Sequence, residues 1–162
     1  MVMDLSALFA ADGVKHFDVR FDLSDVSFFG NSPFKTVSAV GEITGRSGVV
    51  EMVGTADFDY TRQCDRCAKE VTRHFSVPVR HTLVTECSDE ASSGYTVIGD
   101  MKLDVDEVVR EDVLLSVPGR YLCREDCKGL CSRCGKDLNE GACSCKKDET
   151  DPRLAALAEL LD

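Results

Sequence analysis

Nine cysteines stand in this 162-residue chain, and six of them fall within CREDCKGLCSRCGKDLNEGACSC, residues 123–145. Thiols at that density serve disulfides, redox exchange or metal ligation. The count is odd. The start of the chain, MVMDLSALFAADGVKHFDVR, has no basic stretch ahead of an apolar run and carries Asp4 inside its short apolar segment, so it reads as an ordinary N-terminus and not a secretion signal. A cytoplasmic location is the expectation, and thiols stay reduced there, which favours metal over disulfide.

Tetrahedral zinc takes four ligands, with Zn–S near about 2.3 Å, so the backbone must turn sharply between two ligating sulfurs. Cys131-Ser-Arg-Cys134 has that shape, and Gly135 after it permits the left-handed backbone that lets N–H groups point at sulfur. Cys143-Ser-Cys145 meets the same need differently, since residues two apart on an extended segment project to one side. GKDLNEGA links the two pairs, with Asn139 and Gly141 available for the return. A second C-x2-C, Cys64-Asp-Arg-Cys67, ends a predicted strand, and Cys123 and Cys127 lie just ahead of the first set. Eight clustered cysteines suffice for two tetrahedra, Cys64/Cys67/Cys123/Cys127 and Cys131/Cys134/Cys143/Cys145. One ion with four unused thiols is the competing arrangement. Cys87, alone beside Glu86, reads as a small, partly buried residue.

Four cysteines on each ion leave no coordination position for water, so such zinc is structural and the expectation is a protein that is not an enzyme. The three histidines, His16, His74 and His81, have no ligand spacing to a cysteine pair, and His74 and His81 fall on opposite faces of a regular strand. No phosphate-cradling glycine loop or nucleophile elbow occurs, and the acidic pairs Asp57/Asp59 and Asp104/Asp106 read as a solvated face. Two thiol chemistries remain as alternatives. A redox-regulated zinc chaperone would release its ion on oxidation. A thiol oxidoreductase using Cys64 and Cys67 lacks the expected βαβ setting. A zinc-ribbon module for protein interaction is the third.

Nineteen basic residues against twenty-nine acidic ones give a formal charge of −10, which opposes phosphate over most of the surface. Residues 120–147 invert the balance, with seven basic and four acidic residues. Arg124, Lys128, Arg133 and Lys136, with Arg66 between the other cysteines, are candidates for RNA or partner contact. The simpler reading is that they screen the thiolates. Tyr121 is the only aromatic of this segment, a poor platform for stacked bases. No stretch approaches the length of about 20 apolar residues that a membrane span needs.

The elements that must carry these residues are mostly strands. KHFDVRFDL alternates around Phe17, Val19 and Phe21. Val37–Thr44 and Val49–Tyr60 flank GRSG, a hairpin whose turn takes freedom from Gly45 and Gly48. Val71, Phe75, Val77 and Val79 mark a third long strand, with Pro78 pointing to an edge or bulge. A short strand is expected at Tyr95–Ile98. The period then changes, and a helix near 104–116 sets Val105, Val108, Val109, Asp112 and Leu115 near one side with Asp104 as N-cap and Pro118-Gly119 as its stop. Asp151 and Pro152 open a terminal helix with Leu154, Leu157 and Leu161 on one stripe. The predicted fold is α+β: an antiparallel sheet or small barrel with a packing helix over 1–119, a cysteine-rich zinc knot over 120–147, and a terminal helix over 148–162.

CDRC at 64–67, LLSVPGRYLCREDCKGLCSRCGKDLNEGACSC at 114–145 and DPRLAALAELL at 151–161, in this order, resemble the bacterial YceD family. The resemblance spans nearly the whole chain. It implies a non-enzymatic factor in large-subunit ribosomal RNA accumulation, through synthesis, processing or stability, with a ribosomal protein or pre-ribosomal particle as partner. For an acidic chain, contact with a basic ribosomal protein is expected to outweigh contact with bare rRNA.

Overall fold

The computed structural model describes residues 1–27, 32–86 and 94–145. The order of elements is β1 (Val2–Asp4), α1 (Ser6–Ala10), β2 (Gly13–Asp22), β3 (Thr36–Arg46), β4 (Val49–Gln63), β5 (Glu70–Val84), β6 (Tyr95–Val97), β7 (Lys102–Asp104) and α2 (Val105–Ser116). The anticipated terminal helix and Cys87 lie outside the described residues.

Period-two alternation builds the sheet. Val37, Ala39 and Ile43 of β3 and Val50, Met52, Ala56, Phe58 and Tyr60 of β4 turn inward, while their neighbours face solvent. Strand order is β2-β3-β4-β5-β6, with β1 and β7 forming a separate antiparallel pair. β2 and β6 are therefore opposite edges. The sheet is open among the described residues, and the barrel alternative does not appear. It is antiparallel except at β6, which pairs parallel to β5 through Thr82–Val84. Sequence alternation carries no sign of strand direction, so this exception was not legible.

The β3–β4 turn is tighter than GRSG suggests. Both strands run to the turn, and Ser47 (φ 52°) and Gly48 (φ 82°) alone make it, a pair of left-handed residues suited to a two-residue hairpin. Gly45 is not part of it. It pairs with Val50 inside the ladder, where an added Cβ would run into the Leu8 carbonyl. Gly41 and Gly54 face each other across β3 and β4, and the Phe17 ring fills the notch they leave, 2.6 Å from where a Cβ on Gly41 would sit. Pro78 sits opposite Thr55 in an unbroken register, so it marks an edge and not a bulge. The other side of β5 is covered by β6 only from Thr82 onward.

Helix α2 lies on the inner face of the sheet. Asp104 Oδ1 accepts from the Asp106 N–H and caps it. Val105, Val109 and Val113 are buried in the core shared with the sheet. Leu115 corrects the expected stripe, because it is 85% exposed. At 100° per residue it falls about 120° from the centre of the buried row. Asp112 remains on the inner flank, where it accepts from His81 Nε2 of β5 at 2.8 Å, while His81 Nδ1 meets Thr96 Oγ1 at 3.0 Å. His74, on the opposite face, meets Asp59 at 3.0 Å. No helix among the described residues is long and apolar enough to cross a membrane.

Candidate metal centres

The β4–β5 hairpin ends in Cys64-Asp-Arg-Cys67-Ala68-Lys69. The Ala68 N–H donates to the Cys64 carbonyl (2.9 Å) and the Cys64 N–H to the Lys69 carbonyl (2.8 Å). Cys131-Ser-Arg-Cys134-Gly135-Lys136 repeats this: Gly135 N–H to the Cys131 carbonyl at 2.9 Å, Cys131 N–H to the Lys136 carbonyl at 2.9 Å. The residue after the second cysteine is left-handed in both, Ala68 at φ 56° and Gly135 at φ 71°. The same turn, made twice, aims two sulfurs at one point each time. Glycine adopts this conformation freely and alanine does not. Ala68→Gly is therefore expected to stabilise the chain by about 0.5–1 kcal/mol, read as a higher denaturant midpoint of the hairpin's unfolding. A lower midpoint would contradict it.

Each turn receives a second cysteine pair. Cys64, Cys67, Cys123 and Cys127 form one group, here the hairpin site; Cys131, Cys134, Cys143 and Cys145 form another, the tail site; within each the sulfurs lie within 4.8 Å of one another. A tetrahedron with Zn–S of about 2.3 Å has S–S edges of about 3.8 Å. The observed edges include Cys64–Cys127 at 3.8 Å, Cys67–Cys123 at 3.7 Å and Cys143–Cys131 at 3.4 Å. Both groups are thus suited to a metal ion bound by thiolates.

The surroundings favour negative sulfur unevenly. Burial opposes ionisation of Cys64, yet the N–H groups of Cys123, Cys67 and Arg66 outweigh it and bring its thiol down to about 6. Burial likewise works against Cys127, and the Asn139 amide and the Gly129 N–H more than offset it. In the tail site the N–H groups of Cys134 and Arg133 draw Cys131 down to about 6. Their neighbours move the other way. Burial and then the Cys127 sulfur push Cys123 up to about 12, and the Cys134 sulfur and then burial do the same to Cys145. Crowded thiols cannot all ionise unless a cation shares the space.

The hairpin site is locked to the core. Tyr121 is buried, donates its hydroxyl to the carbonyls of Tyr60 (3.1 Å) and Val71 (3.2 Å), and sets its ring edge-on to Tyr60 at 5.3 Å. Its N–H donates to Asp65 Oδ2 at 2.6 Å and its carbonyl accepts from the Asp65 N–H at 2.8 Å. The one aromatic of the segment is a bolt into the sheet and offers no face for stacking. Gly129 (φ 76°) brings the chain so close to the hairpin tip that a Cβ would stand 3.0 Å from the Arg66 carbonyl, which accepts from the Leu130 N–H at 3.1 Å.

The basic side chains singled out by charge are largely engaged within the knot. Arg66 Nη1 donates to the Cys127 carbonyl at 2.6 Å, and Lys136 Nζ to the Ala142 carbonyl at 3.0 Å. Arg124 donates to Asn139 Oδ1 at 2.8 Å and pairs with Asp126 at 3.2 Å. Lys128 and Arg133 contribute main-chain N–H groups, to Asn139 and to the Cys131 sulfur. Sequence reasoning missed Asn139 as more than a turn residue and Arg73, which donates to the Leu122 carbonyl at 2.6 Å and lies 5.4 Å from the Tyr121 ring centre. Nothing in their spacing pointed to these contacts.

The two sites differ in cover. Cys64, Cys67 and Cys127 are buried, whereas Cys134 is exposed and Cys131, Cys143 and Cys145 are half-exposed. A metal-loaded chain is accordingly expected to release its ions in two phases under a chelator or mild peroxide, the tail site first. A colorimetric metal reporter follows the release, and Cys143→Ser should abolish the fast phase while a later phase from the hairpin site remains. A single phase carrying both ions would refute the assignment.

Residues 52–161 match the family described as large ribosomal RNA subunit accumulation protein YceD. The Bacillus subtilis protein YlbN, described as uncharacterized, is 27% identical over 90% of this chain and 87% of its own length. An uncharacterized protein of Mycobacterium tuberculosis is 31% identical over 69% of this chain, which spans 56% of that relative. A chloroplastic protein of Arabidopsis thaliana, named large ribosomal RNA subunit accumulation protein YCED homolog 1, is 32% identical over 36% of this chain and 18% of its own length. No solved structure matches.

Proposed function

The chain belongs to the YceD family, and from that membership we propose that it supports large-subunit ribosomal RNA accumulation in the cytoplasm as a non-enzymatic factor stiffened by structural zinc. The observation that carries the zinc reading is the gathering of eight cysteines into two groups of four at tetrahedral spacing. When bound, zinc supplies a fixed dication without redox chemistry. The chain's own residues do the rest. The twin turns aim the sulfurs, backbone N–H groups favour the thiolates of Cys64 and Cys131, and Tyr121 fastens the result to the sheet. Four thiolates complete each tetrahedron, which speaks against water activation.

A formal charge of −10 opposes bare RNA, and the candidate contact side chains Arg66, Arg124 and Lys136 are engaged by the knot. Both observations favour a basic ribosomal protein, alone or within a pre-ribosomal particle, as the direct partner. Zinc quantitation on protein purified under reducing conditions should give two ions per chain; one or none would reject the scheme. Depleting the protein from its cells should lower large-subunit relative to small-subunit rRNA, and a pull-down at moderate salt should recover large-subunit particles or proteins. An unchanged rRNA ratio would reject the functional assignment.

A further inference from the structure

We infer that Asn139 couples the two centres, acting as a positioning residue through which metal capture at the tail site raises metal affinity at the hairpin site. This rests on the zinc reading above. Asn139 belongs to the loop closed by the tail site's two ligand pairs, yet its side chain faces the other site. Its Oδ1 accepts from the Lys128 N–H at 2.8 Å and from Arg124 at 2.8 Å, and its Nδ2 donates to the Cys127 sulfur at 3.4 Å and to Asp137 Oδ1 at 2.7 Å. The chemistry of these partners fixes the amide's orientation. A main-chain N–H and a guanidinium only donate, so oxygen must face them, and nitrogen is left for the sulfur and the carboxylate.

The amide thus grips Cys127 and Lys128 with both ends. Its own placement is set by the loop. The Asn139 N–H donates to Asp137 Oδ1 at 2.8 Å, the Leu138 N–H donates to the Gly129 carbonyl at 2.9 Å, and Leu130 and Asp137 form a single antiparallel bridge. An ion in the tail site ties both ends of this loop and removes its freedom before the hairpin site fills. The hairpin site then gains a pre-placed N–H donor to one of its four sulfurs. Donors of this kind change metal affinity by about 10–100-fold when removed. Coupling of binding free energies is reciprocal, so the hairpin site must strengthen the tail site equally.

Cobalt(II) titration of the full chain under reducing conditions tests this, with sulfur-to-cobalt absorption as readout. Three variants are compared with the unaltered chain: Asn139→Asp, Cys143→Ser with Cys145→Ser, and all three changes together. Asn139→Asp keeps an oxygen for Lys128 and Arg124 and places a second oxygen at the sulfur. Hairpin-site affinity should fall by about 10–100-fold in Asn139→Asp and in the tail-site variant. The combined variant should be no weaker than the weaker of the two. Asn139→Asp should also move the hairpin site's sulfur-to-cobalt band to lower energy as Cys127 loses its donor, a change that mere loosening of the loop does not make. Affinity within twofold of the unaltered chain in Asn139→Asp, or losses that multiply in the combined variant, would overturn the coupling while leaving two metal sites standing. An unaltered chain that binds no metal would overturn the zinc reading itself.

Discussion

Stripping the metal with a strong chelator is expected to unfold residues 120–145 while the five-stranded sheet stays folded. The sheet has its own apolar core from α1, β2–β5 and α2. Within 120–145, Tyr121, Cys127 and Gly129 are the buried residues, and regular structure is limited to turns and one isolated bridge. Too little surface is hidden there to offset the entropy of ordering the segment. Structural zinc typically contributes about 10–16 kcal/mol of binding free energy, which is folding free energy for such a segment. Segment-resolved hydrogen exchange is the measurement. Protection should vanish over 120–145 and drop at 64–69, and persist over β3 and β4. Loss spread evenly along the chain, or none anywhere, would contradict it.

Acid should act as the chelator does. Cys64 and Cys131 are held below the ordinary thiol range, to about 6, so what their thiolates contribute is fully present above the usual thiol pKa and is lost as pH falls through about 6. Ion release therefore follows acidification and not alkali, since ligation also displaces the protons that Cys123 and Cys145 otherwise keep.

Tyr121→Ala is expected to be the most damaging single change outside the cysteines, at about 3–5 kcal/mol by analogy with other large-to-small changes at buried aromatics. The ring closes an aromatic run from Phe34 through Phe58, Phe75 and Tyr60, with successive centres 5.3–6.1 Å apart. Tyr121→Phe keeps the ring and removes the one hydroxyl proton that the Tyr60 and Val71 carbonyls share, for a loss of about 1–2 kcal/mol. Denaturant unfolding of the metal-loaded proteins separates the two. Equal effects would mean that the hydroxyl, and not the ring, holds the knot to the sheet.

Much of this was legible because it rests on local rules. Alternation located the strands around Phe17, Val37 and Val50, and the spacing of Cys131, Cys134, Cys143 and Cys145 is a local property of the chain. The rest depends on which distant segments meet. Leu115 obeys helical periodicity but lies past the edge of the packed stripe, and only the sheet's position reveals that. Gly45 reads as a turn residue until Leu8 is seen lying against it. Arg66 and Arg124 carry charge, which composition reports, whereas their use as internal hydrogen-bond donors needs the fold of another loop.

The hairpin site joins Cys64 to a sulfur 63 positions later. A chain emerging from synthesis can zip β2 to β5 together long before Cys127 exists, with Cys64 and Cys67 waiting bare at the hairpin tip. On the zinc reading, seating the ion would be among the last steps of maturation, and zinc supply would act as a checkpoint on newly made molecules. In cells starved of zinc, half-matured copies with a finished sheet and an unclasped tail would accumulate, and proteases would meet them first beyond Ser116.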